Sequence, residues 1–137
     1  MVKEDKPKKK ISNTFKIIGL ISAGCGAFHG FYDGIGAPLP LKHLDPILTV
    51  GPTIIQSYLG IFDGISIART GKQATGNYLM EEELSHLINV SNKEELIKGE
   101  VYGALMGGMG EGIVAGLETL VGYTIGYVEG NIVKSLS

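Results

Sequence analysis

Cysteine occurs once in this chain, at Cys25, which excludes an intrachain disulfide and any zinc site built from thiolates. Basic residues are unevenly placed: six of the twelve lysines and arginines fall in the first sixteen positions, Lys42 stands alone, four lie between Arg69 and Lys98, and only Lys134 follows. With a net charge of −2 and a basic tail alone to offer, nucleic-acid binding is not expected. His29, His43 and His86 lack metal-ligand spacing, and no serine or cysteine nucleophile has an evident base. The run Gly107-Gly108-Met109-Gly110-Glu111-Gly112 has neither a preceding strand pattern nor the lysine and hydroxyl of a phosphate loop. The chain is therefore expected to be no enzyme, and to carry no metal and no cofactor.

What the chain does have is long stretches almost free of charge. Its hydrophobic fraction of 44% and mean hydropathy of +0.19 are ordinary, but the averages hide a segregation. Residues 46–68 carry one formal charge, Asp63. Residues 17–32 carry none apart from His29, and 101–128 are interrupted only by Glu111 and Glu118. A helix needs ~20 apolar residues to cross ~30 Å of hydrocarbon, so all three stretches are candidate spans. The glycine content supports the same reading, because 21 glycines burden helices in water but permit close packing in a bilayer. The fold expected is an all-α integral membrane bundle of three glycine-rich transmembrane helices, or four if the last segment breaks, with a short cytoplasmic amphipathic segment.

The boundaries follow from charge and punctuation. Residues 1–12 read as a basic tail that stays cytoplasmic by the positive-inside rule. Residues 13–69 read as two transmembrane helices forming a hairpin, the first capped near Ser12-Asn13 and stopped by Pro38 and Pro40, the second starting at Asp45-Pro46 and kinked at Pro52. The segment 70–98 reads as an amphipathic cytoplasmic linker with Leu79, Leu84, Leu87 and Ile88 opposite Glu81, Glu82 and Glu83, and with a capping box at Ser91-Asn92-Lys93-Glu94. It either caps the bundle or docks a larger membrane complex. Residues 99–137 form the last glycine-rich segment, long enough to tilt, protrude or break. Counting basic residues puts the N-terminus in the cytoplasm of a cell or inner membrane. Three spans leave the C-terminus outside; a fourth would bring it back.

Glycines recur every fourth residue at Gly26, Gly30 and Gly34, at Gly108, Gly112 and Gly116, and at Gly122, Gly126 and Gly130, with a shorter pair at Gly60 and Gly64. Residues at this spacing share one helix face and let another backbone approach. So many small faces predict a homo-oligomer in the bilayer. The ladders also carry acids, in a repeated pattern of a carboxylate before glycine at Asp33, Asp63, Glu111 and Glu129.

A carboxylate in hydrocarbon costs roughly 2.5–3.5 kcal/mol on insertion scales, so its repetition needs a reason. Counting helical rise from the basic flanks staggers Asp63, Glu111, Asp33 and Glu118 through the membrane, with His29 near the depth of Glu111 and able to pair with it or with Asp33. Tyr32, Tyr58, Tyr102, Tyr123, Thr53, Gln56 and Ser57 are available as polar partners. Such a set predicts a proton or cation pathway; the alternative is a structural subunit whose acids only hold helices together.

Overall fold

The computed structural model describes residues 11–41, 43–78, 80–88 and 93–137. The first ten residues of the basic tail, Lys42, Leu79, and Ser91 and Asn92 of the proposed capping box lie outside the described residues. Every regular element described is an α-helix: α1 (Asn13–Ile35), α2 (Leu44–Thr70), α3 (Glu81–Leu87) and α4 (Lys93–Leu136).

Ser12 caps α1, its side chain accepting from the Phe15 N–H at 3.1 Å. The helix runs through Asp33-Gly34 and ends at Ile35, ahead of Pro38 and Pro40. There Gly36 adopts a left-handed conformation (φ 74°) and its N–H returns to the carbonyls of Asp33 and Tyr32. α2 begins at Leu44, so His43 rather than Asp45 holds the cap position, without a side-chain hydrogen bond; Asp45 lies in the first turn and its carboxylate meets His29. It continues through Pro52, whose ring is buried, and ends at Gly71 (φ 77°). α4 is one unbroken helix of 44 residues, about 66 Å at ~1.5 Å per residue. The segment from 99 onward therefore neither breaks at its glycines nor turns back, and its helix starts six residues earlier, inside the region read as a linker.

Two of these helices, α1 and α4, are long and apolar enough to cross a membrane. α2 is long enough but falls short in hydropathy, because one of its faces is given to Pro52, Gln56, Gly60, Asp63 and Gly64, all buried.

α4 is the spine. α1 runs parallel to its second half and α2 antiparallel to its first half, while α1 and α2 touch each other far less than each touches α4. The approaches are backbone to backbone. A Cβ placed on Gly26, Gly30 or Gly34 would collide with the carbonyl of Thr119, Tyr123 or Tyr127, and one on Gly122, Gly126 or Gly130 with that of Ala23, Ala27 or Phe31. Gly60 and Gly64 meet the carbonyls of Gly107 and Gly103 in the same way. Gly108 and Gly112 face the Ile61 and Ser57 side chains, and Gly116 has no neighbour within 4 Å. The close-approach stripe of α4 is thus 103-107-111-115 rather than 108-112-116, one residue round the helix. These ladders find their partners within the chain, so self-association no longer follows from unmatched small faces.

Residues 71–78 fold back along α2 and α4 into the space below the start of α1, where the Ser12 hydroxyl donates to the Gly76 carbonyl. Tyr78, Ile67 and Leu84 form a small apolar cluster with Ile88 against it, so α3 covers the end of the bundle. Leu87 and Met80 stay exposed.

Candidate functional site

The helices meet along small residues, and four polar side chains occupy positions on those same stripes. Ser22 lies four residues before Gly26, Gln56 four before Gly60, and Glu111 four after Gly107 and four before Ala115, while Asp63 adjoins Gly64. Register alone therefore turns them inward. Ser22 is 2% exposed, Gln56 and Glu111 1%, and Asp63 0%. They sort into two layers along α4, with a third, more open polar layer above them.

The lowest layer joins α2, α4 and the folded-back loop. Asp63 accepts from Thr75 twice, from its N–H and its hydroxyl, both at 2.6 Å. The Asn77 N–H donates to the Thr75 hydroxyl at 3.3 Å, and Asn77 Nδ2 donates to Glu111 Oε2 at 2.6 Å. Glu111 finds room because position 60 is glycine: a Cβ there would come within 2.7 Å of Glu111 Cγ. No lysine, arginine or histidine pairs with Asp63 or Glu111 among the described residues. The loop is held by its own bonds, Gln73 N–H to Glu81 Oε1 at 2.9 Å and Tyr78 N–H to Gln73 Oε1 at 2.6 Å. Burial, reinforced by the neighbouring Glu111 carboxylate, pushes the Tyr78 phenol above its ordinary value.

One layer up, seven residues or ~10.5 Å along α4, Gln56 Nε2 donates to Ser22 Oγ at 2.6 Å and to Glu118 Oε1 at 2.8 Å. The Glu118 carboxylate reaches over Gly19, where a side chain would strike it. In both layers a carboxamide donates to a glutamate and is left with a buried oxygen that has no partner among the described residues, Asn77 Oδ1 below and Gln56 Oε1 above. An orphaned buried acceptor costs about 1–3 kcal/mol, so two in equivalent positions call for a physical cause.

The upper layer is more open. Tyr123 donates its hydroxyl to Asp33 Oδ2 at 2.5 Å, and His29 Nε2 stands 2.9 Å from Asp45 Oδ1 and 3.5 Å from Asp33 Oδ2. The His29 and Tyr123 rings meet edge to face at 5.2 Å. A cavity of about 320 Å³ lined by His29, Thr49, Gly116, Thr119 and Tyr123 opens here. Asp33 is exposed, as is Glu129 near the end of α4.

The structure brings Asp63 and Glu111 together and gives Glu118 and Asp33 separate layers. It does not bring His29 to Glu111. His29 lies beside Tyr123, twelve residues or ~18 Å further along α4, because α1 is displaced along the spine by the loop beneath it. Tyr123 and Gln56 bond acids, whereas Tyr58 and Tyr102 are exposed. Thr75, Asn77, Ser22 and Asp45 are the partners that sequence reasoning missed. For Ser22 the signal was present, since it extends the Gly26-Gly30-Gly34 ladder by one step. Among the described residues no group of three or more histidines, cysteines, aspartates or glutamates is placed to hold a metal ion. Comparison with protein-family models, curated proteins and solved structures finds no match.

Proposed function

We propose that the chain is a three-span membrane protein whose polar layers provide a pathway for protons or cations. Asp63 and Glu111 carry the reading: both are buried, they lie in one hydrogen-bonded cluster, and neutral donors alone serve them. Buried charges of one sign are sustained only by a proton or a counter-ion, and a membrane protein that keeps them has a use for either. The second and third layers continue the route along α4.

Membrane insertion of α2 with α1 and α4 is supported by its outer face, where Ile47, Val50, Ile54, Ile55, Tyr58 and Phe62 are all exposed. Its hydropathy deficit comes from the buried stripe, which lipid never meets. Arg69 and Lys98 lie at one end of the bundle, where Arg69 bonds Glu100, and Lys134 lies at the other, which supports a cytoplasmic end at Arg69 and Lys98.

Purified protein in liposomes is expected to dissipate an imposed proton or monovalent-cation gradient, and Asp63→Asn and Glu111→Gln are expected to fold and to lose that flux. A well-folded wild type that leaves the gradient intact would overturn the pathway and favour a structural subunit.

A further inference from the structure

The lowest layer contains more than two acids. Asn77 is fully buried, its nitrogen is committed to Glu111 Oε2, and its oxygen has no partner among the described residues. The other Glu111 oxygen receives no hydrogen bond from the described residues, so two uncommitted oxygens belong to groups already bonded to each other. The Asp63 carboxylate is tied into the same cluster through Thr75, whose N–H and hydroxyl occupy one lone pair on each of its oxygens.

Resting on the pathway reading, we propose that Asn77 Oδ1 and Glu111 Oε1, with Asp63 beside them, bind one sodium-sized monovalent cation. The chemistry is that of a hard cation: every available ligand is oxygen, from carboxylate, amide and hydroxyl, with no imidazole or thiolate in the cluster. The ligand count favours a monovalent ion: both Asp63 oxygens already accept from Thr75, which leaves Glu111 as the one acid of the pair with an uncommitted oxygen. Calcium takes six to eight oxygens and magnesium keeps several waters, a fuller ligand set than the two uncommitted oxygens here supply. A cation here would satisfy the orphaned Asn77 oxygen and remove the repulsion between the acids together. It would also fasten the 71–78 loop, which supplies Asn77 and Thr75, to the two helices that supply the acids.

The test is equilibrium dialysis of the full-length protein in nonionic detergent against radioactive sodium, with potassium, calcium and choline chlorides as competitors. Wild type is expected to retain about one sodium ion per chain. Asn77→Ala and Glu111→Gln are expected to weaken retention roughly tenfold to a hundredfold, as removal of metal-supporting groups does, while Gln56→Ala in the layer above retains it. Circular dichroism and gel filtration establish that each variant is folded, and Asn77→Ser, with its smaller loop change, replaces Asn77→Ala if that variant is not. Equal sodium retention by wild type and the Asn77 variant, no retention at all, or displacement by calcium in preference to sodium would each overturn the proposal. Sodium bound at this site without flux in liposomes would sustain the site and remove the pathway; proton flux without sodium retention would do the reverse.

Discussion

Glu111 is buried because of register rather than hydrophobicity. It occupies the third position of the stripe Gly103, Gly107, Glu111, Ala115, where every other residue is small enough for α2 or the loop to pack against it. The glycines themselves differ sharply in what they hold. Gly30 has the Tyr123 carbonyl where a Cβ would stand, whereas Gly24 and Gly116 have nothing within 4 Å. Gly30→Ala should therefore lower stability by roughly 1–3 kcal/mol through overpacking. Gly24→Ala and Gly116→Ala should be neutral or raise it by up to about 1 kcal/mol through helix propensity. Thermal unfolding of the three variants in one detergent checks the order, and equal losses at all three would contradict the contact assignments. At Tyr78 the phenol is held above its ordinary value near 10, so the folded state favours the neutral form. Its contribution is complete below pH 10 and is lost as pH rises through the raised folded value. Tyr78→Phe should abolish that part of the alkaline destabilisation; identical pH profiles for the two proteins would exclude it.

At the scale of elements the folded-back loop 71–78 decides the arrangement. It supplies Thr75 to Asp63, Asn77 to Glu111 and the Gly76 carbonyl to Ser12, so it joins α1, α2 and α4 at one level. Thr75→Val keeps the shape and removes the hydroxyl donor to Asp63; the cost of an under-satisfied buried carboxylate is about 1–3 kcal/mol. Urea or thermal unfolding of this variant should show that loss, and wild-type stability would mean that the Thr75 hydroxyl bears none of the load. The loop is also where sequence reading stopped. The long helices were visible in the charge-free runs, and the Ser12 cap in its residue type. The loop's return was not, since Gly71, Gly76 and the polar residues between them read equally well as a solvated linker. Depths counted from basic flanks assume that every helix begins at the same surface. The docking of α1 on residues 118–131 of α4 breaks that assumption, so His29 stands by Asp33, as the i,i+4 spacing allows, and away from the depth of Glu111.

The whole molecule presents apolar side chains outward and polar ones inward. Ile17, Leu20, Ile21 and Phe28 on α1, the outer row of α2, and large apolar residues of α4 from Ile97 to Leu136, among them Leu105, Ile113, Leu120 and Ile125, are exposed. Exposed apolar surface this continuous marks an interaction site, and for helices of this length a bilayer is the matching environment. Inside, the three layers succeed one another along α4 at roughly 7–11 Å, with Glu118 in the middle. The ladders that predict a homo-oligomer from the sequence pack α1 and α2 against α4 within one chain. Glu118 is the acid that a route along this interface must pass. Its substitution is therefore the most direct measurement: proton and sodium flux through liposomes containing wild type or Glu118→Gln, at equal protein content and with folding verified. The polar layers predict flux in wild type and a fall to the protein-free leak in the variant; flux undiminished by Glu118→Gln would contradict a pathway along the polar interface.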